Sequence, residues 1–101
     1  MDAGQNFYTF RGYHLRNKKH QGILTPSMED YLEMIYRLSK QVGHTRILEL
    51  ASSLNVQPPS ASSMVQKLAD HDWVQYEKYS LIRLTTKGRE RGAYLLQRHH
   101  I

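Results

Sequence analysis

The sequence predicts a mainly α domain with a small β wing: a winged helix-turn-helix built from a three-helix core, a two-stranded hairpin and a C-terminal wing helix. Three observations point there. Apolar residues fall at helical spacing from Leu24 onward. A short helical run and a second one opened by prolines are separated by only three residues, Asn55 to Gln57. Two β-prone runs then follow, with apolar and polar residues alternating.

Each element has its own signal. Thr25-Pro26-Ser27 reads as a helix start, with Ser27 as the expected cap and Asp30 three residues on as an acidic capping-box variant. Met28, Tyr31, Leu32, Ile35 and Leu38 form the apolar stripe of a first helix expected to stop near Gly43. Asp30 and Glu33 share a face roughly opposite that stripe. A second, short helix is expected from about Arg46 to Leu54, with Ile47, Leu50, Ala51 and Leu54 inward. After the Asn55-Val56-Gln57 turn, Pro58 and Pro59 open a third helix, because the first helical turn needs no backbone donor. It buries Ala61, Met64, Val65 and Leu68. Trp73 to Tyr79 and Leu81 to Thr85 are the hairpin strands, with Val74, Tyr76, Ile82 and Leu84 inward and no glycine to mark the turn type. Thr85-Thr86-Lys87-Gly88 starts the last helix, whose Gly88 and Gly92 are expected to let another helix approach closely.

The chain divides near Leu24. Residues 1–22 show no helical or strand period, with Phe7, Tyr8, Phe10 and Tyr13 scattered among Arg11, Arg16, Lys18 and Lys19, and a flexible basic and aromatic arm is expected over residues 1–24. Residues 25–101 form the winged helix-turn-helix domain. The net charge of +5 fits an anionic partner, but residues 26–101 hold ten basic against eight acidic groups, so charge alone says little about that domain. With no cysteine, disulfides, thiolate zinc sites and thiol catalysis are excluded. No apolar stretch approaches spanning length and no signal segment opens the chain, so a cytoplasmic location is expected. No nucleophile–base arrangement appears, so an enzyme is not expected.

The third helix carries the argument for nucleic acid. Opposite its apolar stripe lie Ser60, Ser62, Ser63, Gln66 and Lys67, with Gln57 and Pro59 at its start. Small serines let a helix sit deep in the major groove of double-stranded DNA, and glutamine pairs with adenine. Lys78, Tyr79 and Arg83 are placed to meet phosphates from the tip of the wing. The alternatives are a solvated serine face on an ordinary three-helix core, and a winged-helix module used for protein–protein contact.

Asp30, Glu33 and His99 bracket this unit. Two hard oxygen donors and an imidazole suit Mn(II) or Fe(II). Each also has a plain explanation: Asp30 beside a helix N-terminus, Glu33 paired with Arg37 four residues on, and His99 beside a helix C-terminus. His14, His20, His44 and His71 show no paired spacing and read as surface groups.

Thr25-Pro-Ser-Met-Glu-Asp-Tyr-Leu-Glu33, Ser63-Met-Val-Gln-Lys-Leu68, Tyr76-Glu-Lys-Tyr79, Leu84-Thr-Thr-Lys-Gly88 and Arg98-His99 together resemble the DNA-binding half of the DtxR family of bacterial metalloregulators, in its manganese-responsive branch. The resemblance covers Leu24 to His99, about three quarters of the chain. It implies metal ligands at Asp30, Glu33 and His99, and a repressor of metal-uptake genes that binds a palindromic operator as a homodimer. The iron-sensing branch typically has methionine where Asp30 stands, so the resemblance leans towards Mn(II) over Fe(II). The family continues into a helical dimerisation domain that supplies further ligands; the sequence ends near where that domain would begin, which leaves the expected site incomplete. His100 stands where the manganese branch tends to carry an acidic residue and is a further candidate ligand. A metal-independent DNA-binding domain, with its sensor part elsewhere, is the alternative within this reading.

Overall fold

Thr25, rather than Ser27, caps the first helix, α1 (Pro26–Ser39). The computed structural model describes residues 24–99, with side chains through Arg98. Pro26 takes the first helical position, where its fixed φ fits and its missing N–H is not needed, and this moves the cap one residue back. The Thr25 hydroxyl accepts from the Met28 N–H at 3.1 Å. Asp30 is therefore no part of a capping box. Thr25→Ala is expected to cost about 1 kcal/mol, lowering Tm by about 5 °C in a thermal melt followed by circular dichroism. Thr25→Ser, which keeps the hydroxyl, should melt close to the parent. The helix ends at Ser39, four residues short of the expected stop at Gly43.

A strand that the sequence did not signal comes next. β1 (Thr45–Arg46) is too short to show alternation, and it pairs antiparallel with the later hairpin, Thr45 opposite Ile82 and Arg46 opposite Leu81. The wing is thus three-stranded. α2 (Ile47–Leu54) buries Ile47, Leu50 and Ala51, and closes at Asn55, whose left-handed φ of 58° lets the Val56 N–H return to the Ala51 carbonyl at 3.0 Å. α3 (Pro58–Asp70) buries Ala61, Val65 and Leu68, with Met64 only partly covered.

β2 (Val74–Glu77) and β3 (Leu81–Leu84) pair in the register Val74 opposite Leu84 through Glu77 opposite Leu81. The strand order is β1-β3-β2. Val74, Ile82 and Leu84 face the core and Tyr76 is half-buried, as the alternation predicts. Between the strands, Lys78–Ser80 forms a tight turn in which Tyr79 and Ser80 both have φ of 62°.

α4 (Thr86–His99) starts from Thr85, whose hydroxyl accepts from the Gly88 N–H at 3.0 Å. The same hydroxyl lies 2.8 Å and 3.0 Å from the carbonyls of Asp72 and Trp73, locking the helix start to the base of the wing. The two glycines of α4 serve different neighbours. Gly92 meets another helix as expected: a Cβ there would stand 2.8 Å from Cβ of Tyr36 on α1. Gly88 instead meets strand-side backbone, with a built Cβ only 1.9 Å from the Trp73 carbonyl oxygen. Tyr36–Gly92 and the Glu29–Arg98 pair at 3.8 Å show that α4 runs antiparallel along α1.

One core serves all of these elements. Leu32, Ile35, Leu50, Ala61, Val65, Leu68 and Ile82 are fully buried, and Trp73 and Leu95 close its sides. Leu24 packs against this core, so it belongs to the domain; the rest of the expected N-terminal arm lies outside the described residues. No helix among the described residues is long and apolar enough to cross a membrane.

Candidate nucleic-acid interface and metal-ligand positions

Because Ala61, Val65 and Leu68 turn α3 inward, Ser60, Ser63, Gln66 and Lys67 are left exposed, with Gln57 and Pro59 exposed at its start. Ser62 departs from the expectation. Its hydroxyl sits 2.9 Å from the Tyr76 hydroxyl on β2, so it ties the recognition helix to the wing instead of facing outward. The reason is its position: Ser62 follows the buried Ala61 and leans to the β2 side of the core. Gln66 donates its amide N–H to the Asp70 carboxylate at 3.2 Å, which fixes the orientation of the amide because a carboxylate can only accept.

The wing supplies the second part of the surface. Lys78 and Tyr79 stand at its tip, and Tyr79 is 86 % exposed. Arg83 does not stand at the tip as expected. It lies opposite Gln75 in mid-strand on the outer face of the sheet, and pairs with Glu77 at 3.4 Å. Sequence reasoning missed Arg46. It is exposed, ends β1, precedes α2 and donates from Nη1 to the Tyr79 carbonyl at 2.7 Å. No pattern could have marked it, since its strand is two residues long and its partner lies thirty-three positions away.

Of the candidate ligands, Glu33 lies on the side of α1 that α4 covers. Glu29, Glu33 and Tyr36 recur at helical spacing on the side of α1 that α4 covers, as Glu29–Arg98 and Tyr36–Gly92 show. Glu33 is accordingly buried, at 6 % exposure, whereas the sequence placed it away from the packed stripe. The stripe reading counted apolar residues only and could not see that a second helix would lie over the polar side. Asp30 is exposed. The Arg37 guanidinium donates from Nε and Nη2 to Oε2 of Glu33 at 3.3 and 3.0 Å. Antiparallel packing brings the last turn of α4, which His99 ends, beside the first turns of α1. The side chain of His99 and all of His100 lie outside the described residues, and among the described residues no three His, Asp or Glu side chains form a metal-sized group. Burial raises the pKa of the Tyr31 phenol above its ordinary value.

A short helix, a tight turn, a helix with an exposed face of small polar residues and a wing hydrogen-bonded to that helix and to the residue that opens the short one define a winged-helix DNA-binding domain. Residues 23–82 match the family described as iron dependent repressor, N-terminal DNA binding domain. The chain belongs to that family, the DtxR-type metalloregulators that its motifs resemble, and the family's members are DNA-binding transcriptional regulators rather than enzymes. It is 47% identical over 77 residues to the HTH-type transcriptional regulator MntR of Geobacillus kaustophilus, a match covering 76% of this chain and 55% of that protein. It is 46% identical over 79 residues to the MntR of Bacillus subtilis, covering 78% of this chain and 56% of that protein. The chain thus spans about half the length of the relatives it matches. Among solved structures, the adhesin competence repressor AdcR of Streptococcus pyogenes superposes with a TM-score of 0.62 at 20% identity, over 88% of this chain and 66% of that one, a likeness of fold alone.

Proposed function

We propose that this domain reads a palindromic operator in double-stranded DNA, in the cytoplasm, as one half of a homodimer whose DNA affinity responds to Mn(II). The exposed small-polar face of α3 carries the reading. Ser60 and Ser63 leave room for close approach to base edges, Gln66 offers an oriented amide, and Lys67 adds a cation for phosphate. Lys78 and Tyr79 extend the surface to the flanking backbone, while Arg83 contributes from the outer face of the sheet in competition with Glu77.

The donor set at the junction of α1 and α4 suits a hard divalent ion. Asp30, Glu33 and His99 would hold Mn(II), with Fe(II) the nearest alternative. A metal there would link the first helix to the last turn of α4 and so fix the end of α4 against the DNA-reading core. Such linkage drives DNA binding only as far as the metal prefers the DNA-competent arrangement. The hold of Arg37 on Glu33 favours a second reading, in which the domain binds DNA without metal, because the guanidinium already occupies one oxygen of that carboxylate.

Calorimetric titration of Mn(II) into the purified chain tests the metal assignment. Binding in the micromolar to millimolar range is expected, weakened about tenfold or more by Asp30→Ala, since losing one of three anionic or imidazole donors leaves water in its place. Heat of binding that is absent, or unchanged by Asp30→Ala, would remove the assignment and leave the metal-independent reading.

A further inference from the structure

The tip of the wing is held from outside its own hairpin. Between β2 and β3 the chain turns through Lys78, Tyr79 and Ser80 without glycine, and both Tyr79 and Ser80 take φ of 62°. Consecutive positive φ is the signature of the primed hairpin turns, normally supplied by Asn-Gly or Gly-Gly pairs. With side chains on both residues the turn is strained, and strain of this kind persists only where the surroundings over-determine it. Inside the turn, the Leu81 N–H donates to the Lys78 carbonyl. From outside, the Arg46 guanidinium donates to the Tyr79 carbonyl at 2.7 Å, a short, charge-assisted bond.

Arg46 is well anchored for that task. It pairs with Leu81 across β1 and β3, and it is the residue from which α2 begins. One side chain therefore connects the first helix of the helix-turn-helix to the tip of the wing. The exposed groups at that tip, Lys78 and Tyr79, are those expected to meet DNA.

We propose that Arg46 is a positioning residue for DNA binding: by holding the Tyr79 carbonyl it keeps the left-handed wing tip in the geometry that meets the DNA backbone alongside α3. The inference rests on the DNA-reading assignment above. Its physical content is preorganisation. A tip already fixed loses less conformational freedom on binding than one ordered only by the contact.

A double-mutant cycle with DNA affinity as the readout separates this role from a direct phosphate contact by Arg46. Lys78→Ala is expected to weaken binding about fivefold and Arg46→Ala at least as much, with the pair together within about twofold of Arg46→Ala alone, because an unheld tip has little of the Lys78 contact left to lose. Ser80→Gly, which accepts the left-handed conformation without strain, should restore much of the loss caused by Arg46→Ala; a missing phosphate contact would not be restored this way. Backbone 15N relaxation of the DNA-free chain should show residues 78–81 losing order in Arg46→Ala while α3 stays rigid. Losses that multiply in the double variant, absence of rescue by Ser80→Gly, or a tip that keeps its order each overturn the proposal. Failure of the parent chain to bind any duplex would instead overturn the DNA assignment on which it rests, and the positioning role with it.

Discussion

Gly88→Ala is expected to be the most destabilising single methyl that can be added to this domain. The new Cβ would stand 1.9 Å from the Trp73 carbonyl oxygen, far inside contact distance, and the obstacle is backbone rather than a flexible side chain. That carbonyl cannot easily retreat. It accepts from the Thr85 N–H at 3.2 Å and lies 3.0 Å from the Thr85 hydroxyl, so moving it disturbs the cap of α4 as well. Alanine favours helix over glycine by up to about 1 kcal/mol, which offsets only part of the clash. A net loss of about 3 kcal/mol is expected, or a fall in Tm of about 15 °C for a domain of this size. A melt within a few degrees of the parent would show that α4 does not start against the wing as described.

Ser63→Glu should have the largest effect on function with the least on stability. Ser63 is exposed on α3, away from the buried stripe of Ala61, Val65 and Leu68, so stability should hold within about 0.5 kcal/mol. A carboxylate there would face the phosphate-lined groove. Like charges opposed across an interface cost several kcal/mol, which corresponds to a loss of DNA affinity of about 100-fold or more. Unchanged affinity with an intact fold would mean that the serine face of α3 does not enter the groove.

The elements that position the surface were legible where one local pattern decided them. α2, its three-residue turn and α3 came out within a residue or two, because Pro58 and the apolar spacing act locally and Asn55 tolerates the left-handed closing turn. The inward set of the wing, Val74, Tyr76, Ile82 and Leu84, followed from alternation alone. What the sequence concealed depended on contacts between distant segments. β1 exists only because β3 offers it an edge. Ser62 looks like its exposed serine neighbours until Tyr76 arrives from β2. Glu33 looks like a surface carboxylate until α4 covers it. Arg46 acquires its role only through the wing tip. The cap at Thr25 is a different case: both Thr25 and Ser27 are capping types, and Pro26 at the first helical position was the local clue that should have decided between them.

The exposed face of α3 and the α1–α4 junction are joined by the fold in a simple way. α1 carries Asp30 and Glu33, packs against the core that also seats α3, and lies along α4, so a change at the α1–α4 junction is one helix away from the recognition face. Ser62–Tyr76 then ties α3 to β2, and Arg46–Tyr79 ties the start of α2 to the tip of the wing. The DNA-reading part is thus held as one unit by the core and two specific hydrogen bonds.

The most direct test of the central claim, that α3 and the wing form one DNA-reading surface, is fluorescence anisotropy of a labelled palindromic duplex titrated with the parent chain and with Ser63→Glu across a salt series. The parent is expected to bind with an affinity that falls about tenfold or more as salt rises from about 50 to about 200 mM, the mark of several phosphate contacts, and Ser63→Glu should bind far more weakly at every salt. Absence of binding by the parent, or equal binding by the two proteins with no dependence on salt, would contradict it.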